Sequence, residues 1–161
     1  MLQFFQGQDD QCLANLRMAN SLNPFNALVL HSSGFLTCML GHWEEGLSLS
    51  KQAFYLTPHH YSLYFIVPFM DIYYRQKDYE AAWNYAKRVN SPIFWGPLIQ
   101  AAAAGQLGLH TPAKAALQEL LEMRPDFPSR ARDLLRRVVY LEDHINLLLD
   151  GLLKAGLDIT S

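Results

Sequence analysis

Four prolines recur along this chain at an almost constant interval, and that interval constrains the fold more than any other feature of the sequence. The intervals are 34, 34 and 33 residues, between Pro24, Pro58, Pro92 and Pro125. A fixed period of roughly 20 to 50 residues is typical of solenoids, in which each repeat is one small supersecondary unit. We therefore predict a repeat protein.

Each period has the pattern of two helices. Between Ala27 and Pro58 the sequence predicts a first helix over 27–41 and a second over 43–56. Gly41 stands where the first helix should stop, because glycine readily adopts the left-handed conformation that ends many helices. Pro58 blocks continuation of the second helix. The expected unit is an antiparallel helix pair.

Small, aromatic and proline residues mark this pair at fixed places. Residues 27–60 supply Gly34, Trp43, Gly46, Ala53 and Pro58. This pattern resembles the tetratricopeptide repeat (TPR). Residues 94–127 are a second, weaker match, with His110 in place of the aromatic and Leu120 in place of a small residue; the matching positions are Ala101, Gly108, Ala113 and Pro125.

The middle period is a degenerate copy. Its second helix is marked by Tyr79, Ala82 and Ala86, but Pro68 stands where the first helix should carry a small residue. Because an apolar periodic run continues on both sides of Pro68, we predict that this proline lies inside a helix and bends it.

The resemblance implies an all-α, TPR-like α-solenoid of antiparallel helix pairs with a C-terminal helical cap. The predicted segments are a partial repeat (the tail of a first helix plus a second helix), two repeats flanking a degenerate one, and capping helices. Their bounds are 1–26, 27–60, 61–93, 94–127 and 128–161.

The N-terminal segment is predicted to expose an apolar edge. Counting back from Pro24 makes the chain begin inside a repeat, which leaves Leu13, Leu16 and Met1–Phe5 without a covering helix. Either the chain is a fragment of a longer protein, the favoured interpretation, or another chain covers this edge.

The C-terminal segment is predicted to form two helices, over 129–140 and 141–155, with Asp126 capping the first. Gly156 followed by Leu157 suits a Schellman ending. The stretch Asp150–Leu157 also resembles the tail of TPR regions that follow bacterial adenylate cyclase domains or winged-helix DNA-binding domains. That resemblance implies a bacterial regulatory protein.

Composition and motifs argue against several classes of function. Thirteen basic against fifteen acidic residues give a net charge of −2, so a nucleic-acid footprint is absent overall, and an arginine cluster at 130–137 is interpreted as a solvated face. Two cysteines, Cys12 and Cys38, are too few for a disulfide scaffold and favour a cytoplasmic protein.

Catalytic, metal and membrane signals are also missing from the sequence. The histidines lack the spacing of a zinc site, and no nucleotide-binding or nucleophile motif is present. Uncharged runs at 18–43 and 89–113 are interrupted by proline and polar residues, so neither is expected to span a membrane. We predict no cofactor and no enzyme activity; any catalysis would belong to a domain outside this chain.

The first helices of TPR units line a concave groove, and the resemblance implies that this groove is the binding site. It would be mainly apolar and would lack the Lys/Asn/Arg set of TPRs that hold acidic peptide tails. The predicted partner is a protein, in the form of a peptide or an amphipathic helix. The groove residues are Leu28, His31, Phe35, Met39, Phe65, Phe69, Ile72, Tyr73, Trp95 and Leu98.

Three alternatives stay open from the sequence. The C-terminal helix could fill part of this groove. The chain could be the C-terminal regulatory region of a bacterial adenylate cyclase or transcriptional regulator. It could also be a homo-oligomerisation scaffold that associates through its N-terminal edge.

Overall fold

The computed structural model describes residues 9–58, 62–89, 93–139 and 141–159, and all regular structure in these ranges is helical. The prediction of an all-α chain is confirmed. The chain divides into two compact units, one ending at Val67 and the other beginning at Pro68. The elements are α1 (Asp9–Leu22), α2 (Ala27–Met39), α3 (Trp43–Leu56), a 3₁₀ helix (Ser62–Phe65), α4 (Ile66–Met70), a π-helix (Asp71–Gln76), α5 (Tyr79–Ala86), α6 (Trp95–Gln106), α7 (His110–Met123), α8 (Phe127–Arg136) and α9 (Glu142–Lys154).

Helices α2 and α3 form an antiparallel pair in the first unit. Asn26 starts α2, because its side-chain oxygen accepts hydrogen bonds from the backbone N–H groups of Leu28 and Val29, both at 3.1 Å. Gly41, with φ of +90°, ends the helix as predicted. The helix stops at Met39, two residues before the predicted end.

Glycines bring the backbones of α2 and α3 into contact. A Cβ placed on Gly34 would lie only 2.7 Å from the carbonyl oxygen of Gly46. Nearer the other end of the pair, the fully buried Ala53 packs in a cluster with Leu30 and Tyr64. The small residues of the repeat pattern therefore lie where the two helices approach most closely.

Helix α1 packs against α2, and this contact corrects the predicted N-terminal edge. Leu13 is 7% exposed, so the prediction that it presents uncovered apolar surface is wrong. Leu13 and the neighbouring Cys12 are the buried residues of α1, so they lie on the part of the helix that the rest of the chain covers. Leu16 is half-buried, and Met1–Phe5 lie outside the described residues.

Pro68 lies inside a helix, as predicted. The chain is helical on both sides of it and changes from 3₁₀ through α to π. Proline has no N–H to offer the carbonyl four residues before it, that of Tyr64. The carbonyl oxygen of Tyr64 instead accepts a hydrogen bond from the hydroxyl of Ser50, at 3.4 Å. The π-helix then ends at Lys77, a non-glycine residue with a positive φ of 54°.

Helix α6 is the centre of the second unit, where α5, α7 and α9 all pack against it. Its alanines at 101–104 are fully buried. Gly105 on α6 and Gly151 on α9 face each other, and a Cβ on Gly151 would lie 2.5 Å from the carbonyl oxygen of Ala102. Helices α6 and α9 therefore meet backbone to backbone.

The C-terminal helices are shorter than predicted. Helix α8 begins at Phe127 and ends at Arg136, and α9 covers Glu142–Lys154. Asp126 holds the capping position, but the prediction that its side chain caps α8 is wrong. Its carboxylate accepts instead from Arg124 at 3.0 Å and from Arg130 at 2.9 Å.

The Schellman ending of α9 is confirmed. The N–H of Leu157 donates to the carbonyl of Leu152, and that of Gly156 donates to the carbonyl of Leu153, both at 2.9 Å. Gly156 has a φ of +100° and Leu157 is 3% exposed. Leucine thus packs back onto the helix that it follows.

Candidate functional site

In the first unit, three of the predicted groove residues form a row on one face of α2. Leu28, His31 and Phe35 are three and four residues apart, which places them above one another on a helix. Leu28 is 59% exposed, and His31 and Phe35 are half-buried. Met39, one turn further, is buried. We call Leu28, His31 and Phe35 the α2 row.

The α2 row carries no charge near neutral pH. The ring of His31 meets the ring of Tyr64 edge-on, with 5.0 Å between centroids. Its Nδ1 atom is buried and has no hydrogen-bond partner in the described part of the chain. Burial lowers the pKa of His31 to about 4, so the imidazole is neutral. Phe65 is half-buried and packs on Phe54, with 5.7 Å between ring centroids.

In the second unit, the predicted groove residues are mostly buried. The rings of Phe69 and Tyr73 stack with 5.1 Å between centroids, and both side chains are almost fully buried. Trp95 and Leu98 on α6 are buried too, whereas Ile72 is half-buried. The Tyr73 hydroxyl donates to the carbonyl of Leu147 on α9 at 3.1 Å. Burial raises the pKa of Tyr73 well above its usual range.

Helix α9 lies along the face of α6 that carries Leu98, Ala102 and Gly105, which are spaced for one helical face. The contact continues in polar groups at its end. The Gln106 amide donates to Asp150 at 2.8 Å, and the Lys154 ammonium donates to both Gln106 and Asp150 at 2.7 Å. Gly105 and Gly151 permit this close approach, because neither has a side chain to hold the two backbones apart.

The predicted groove residues thus separate into two sets. Five are buried within the chain, and the other five keep exposed surface. Binding of a partner by the second set stays a prediction. The buried set is Met39, Phe69, Tyr73, Trp95 and Leu98; the exposed or half-buried set is Leu28, His31, Phe35, Phe65 and Ile72.

Arginines around α8 are held by two carboxylates. Arg132 and Arg136 both donate to Glu142, at the start of α9. Asp126 binds two further arginines, and these hydrogen bonds, above all the one from Arg124, lower its pKa to about 2. The pairs are largely exposed, as expected of a solvated face.

The described residues offer little material for chemistry. Within them, no group of three or more His, Cys, Asp or Glu side chains could hold a metal ion. Cys12 and Cys38 are buried and are not joined in a disulfide bond. The adjacent His59 and His60 lie outside the described ranges. Among the helices described, none combines the length and the apolar character needed to cross a bilayer.

The paired helices, their glycine contacts and the covered face of α6 define a TPR-like helical-repeat fold. Neither a family model nor a curated protein matches the sequence. Among solved structures, the chain is similar to PilW, described as a widely conserved type IV pilus biogenesis factor. The TM-score is 0.68 at 18% sequence identity, over 96% of this chain and 72% of PilW. This likeness supports the fold.

Proposed function

We propose that this chain is a non-catalytic protein-interaction module that binds an amphipathic helix or an apolar peptide on the α2 row. The observation that supports this most directly is the exposure of the row. Leu28 is more than half exposed at the start of α2, and two part-exposed rings follow it along the same face. Apolar side chains at helical spacing are the usual contacts of a helix bound in a groove.

The second unit supplies a model for the ligand. Helix α6 opens the 94–127 repeat as α2 opens the 27–60 repeat, and the face of α6 is occupied by α9. Helix α9 is amphipathic: Leu148 and Leu152 are buried, whereas Glu142 and Asn146 are exposed. A helix of this kind, carried by a partner protein, is the ligand that the α2 row would accept.

The electrostatic character of the row agrees with an apolar ligand. Its titratable member, His31, stays neutral because burial holds its pKa at about 4. The row also lacks lysine, asparagine and arginine, the residue types that hold acidic peptide tails in other TPRs. Affinity would therefore come from the burial of leucine and phenylalanine, with a few anchors dominating.

The proposal also gives a structural role to the stretch that resembles regulatory TPR regions. Asp150 and Lys154 bind Gln106, Gly151 meets α6, and Gly156 ends α9. A place in a bacterial adenylate cyclase or transcriptional regulator remains part of the wider proposal and rests on that sequence resemblance. A cytoplasmic location is proposed from the low cysteine content. Any catalysis would then belong to another domain.

Display selection on the whole chain tests the proposal. A library of random 16-residue peptides is panned against the immobilised protein, and the enriched peptides are measured by fluorescence anisotropy. We expect apolar residues at helical spacing, and a loss of binding of about tenfold or more for Leu28→Glu and for Phe35→Ala. The matched control is Leu153→Glu, which changes a 50% exposed leucine on α9. Failure to enrich such peptides, or equal binding by all variants, would show that the row is not a binding site.

A further inference from the structure

The first unit has two chemically different ends. Helices α1, α2 and α3 alternate in direction, so the end of α1, the start of α2 and the end of α3 lie together. The cluster around Leu30 confirms this register, because Ala27 at the start of α2 and Phe54 near the end of α3 both pack against it. The starts of α1 and α3 lie at the opposite end.

Large apolar side chains are concentrated at the first of these ends. Six of them are exposed to solvent. Leu28, at 59%, belongs to the α2 row, and we call the other five the apolar end. Their exposed fractions are 60% for Met18, 72% for Leu22, 83% for Phe25, 70% for Tyr55 and 41% for Leu56. Exposed apolar surface concentrated at one place on a protein often marks an interaction site.

Acidic side chains of the unit are concentrated at the opposite end. Asp9 and Asp10 lie in the first turn of α1, and Glu44 and Glu45 lie in the first turn of α3. Arg17 is directed to that side as well, since its guanidinium binds Glu45 at 2.7 Å. Lys51 is the remaining formal charge in the described part of this unit, with its ammonium 6.0 Å from the centre of the Tyr55 ring.

The side chains of Asn23, Asn26 and Thr57 at the apolar end have partners within the chain, whereas the Oδ1 atom of Asn20, already buried, has none among the described residues. The Asn26 side chain caps α2, and the Asn23 amide donates to the carbonyl of Ala19 at 3.4 Å. The Thr57 hydroxyl lies 2.7 Å from that of Tyr64. Covering this end would therefore bury few unsatisfied groups, which is the main cost of burying a polar surface.

We propose that the apolar end is the contact between two copies of this chain, related by a two-fold axis. Such a contact sets each patch against itself, so a charged patch would repel its own image, and this patch is nearly uncharged. Its five side chains expose on the order of 700 Å², close to the 800 Å² per partner of a standard interface. The acidic residues of both copies stay remote from the contact. Leu28 of the α2 row lies at the same end of the unit, at the start of α2, so the two surfaces adjoin.

The charge of the apolar end also favours a second copy of the chain over a lipid bilayer as the partner that covers it. Attraction to an anionic bilayer usually takes a cluster of about four to eight basic residues. The apolar end has Lys51 beside Tyr55, and Arg17 is bound to Glu45. The patch thus has the apolar area for a dimer but lacks the basic cluster for a membrane.

Sedimentation equilibrium of the whole chain, from about 1 to 200 µM, tests the proposal. We expect a reversible dimer with a Kd of about 1 to 50 µM. Leu22→Glu combined with Phe25→Glu should give a monomer at all these concentrations, with an unchanged circular dichroism spectrum, because both side chains are exposed. Leu153→Glu is the control and should dimerise normally. Since Leu28 and Phe35 are intact, the double variant should still bind the peptides selected on the α2 row.

A second variant gives a positive readout. Phe25→Cys places a thiol at the most exposed position of the patch, while the native Cys12 and Cys38 are buried. Mild oxidation should link two copies of this variant, and Leu153→Cys should stay unlinked. A wild-type monomer at 200 µM, or a dimer that survives the double glutamate variant, would overturn the proposal. So would monomeric wild-type protein that sediments with phosphatidylglycerol vesicles through Leu22 and Phe25.

Discussion

The hydroxyl of Tyr73 lies 3.1 Å from the carbonyl oxygen of Leu147 and donates a hydrogen bond to it. The bond joins the π-helix, an element with irregular backbone geometry, to the last helix of the same unit. Tyr73 is 1% exposed, so water cannot replace Leu147 as a partner without entering the core. The position of α9 is therefore determined by this buried polar contact together with the Gln106–Asp150–Lys154 bonds and the glycines that bring its backbone close to α6.

Tyr73→Phe removes this hydrogen bond with almost no change in side-chain shape. We expect the free energy of unfolding to fall by about 0.5 to 1.5 kcal/mol, the usual contribution of one buried hydrogen bond. Urea denaturation followed by circular dichroism measures it. Tyr55→Phe, at a 70% exposed tyrosine, is the control and should leave the midpoint unchanged. Equal midpoints for wild type and Tyr73→Phe would contradict the assigned bond.

Gly151→Ala tests the contact between α6 and α9. In an isolated helix this change is favourable by about 1 kcal/mol, because alanine is the better helix former. Here the added methyl would lie 2.5 Å from the carbonyl oxygen of Ala102, a backbone atom that cannot turn aside. We expect a net loss of about 1 to 3 kcal/mol, measured by urea denaturation. A rise in stability would mean that the two helices leave room for a methyl group.

Ala53→Leu tests the contact within the first helix pair. Ala53 is fully buried beside Leu30 and Tyr64, so three additional carbon atoms have no space. Overpacking of this kind costs about 1 to 3 kcal/mol. Thermal unfolding should show a lower midpoint for Ala53→Leu than for Gln52→Leu, which adds a leucine at the exposed neighbouring position. Indistinguishable midpoints would place Ala53 away from a helix contact.

His144 makes stability depend on pH. Its side chain is 1% exposed against the ring of Tyr74, and burial lowers its pKa from 6.5 to about 4. Between these two values the unfolded chain binds a proton that the folded chain does not, so stability falls as the pH drops through this window. The shift corresponds to roughly 3 kcal/mol at most.

Urea midpoints between pH 4 and 7.5 measure this dependence. His144→Leu should flatten the curve in part, because His31 has the same direction of shift and continues to contribute. Leu153→Ala, at an exposed position on the same helix as His144, is the control and should leave the curve unchanged. If His144→Leu retains the full slope of the wild type, the buried histidine is not its source.

Local patterns in the sequence were sufficient to predict the helix pairs. Each proline of the periodic series, Gly41 and the Gly156–Leu157 ending determine where a helix stops. Each acts within one or two turns, where backbone preferences dominate. The capping role of Asp126 failed because its backbone is helical, with φ of −81° and ψ of −2°, whereas a capping residue is usually extended. Its carboxylate binds Arg124 and Arg130 instead.

The candidate site was harder to predict because exposure is a property of the whole unit. The resemblance placed Leu98 and Tyr73 on a binding face, but whether that face is open depends on where α9 packs, some 50 residues or more along the chain. Gly105 and Gly151 were visible in the sequence, yet nothing local pairs them. Leu13 was misplaced for the same reason, since its burial depends on the packing of α1 against α2.

The alanine run of α6 has a consequence for how this chain can change over generations. Successive residues of a helix point about 100° apart, so the four methyl groups at 101–104 project from nearly all sides of α6. Each of them is fully buried against packed neighbours. Drift at these positions is confined to glycine, alanine and serine unless a facing helix changes at the same time. The segment should therefore diverge more slowly than the arginine-rich surface of α8, and it is the stretch by which distant descendants of this chain could still be aligned.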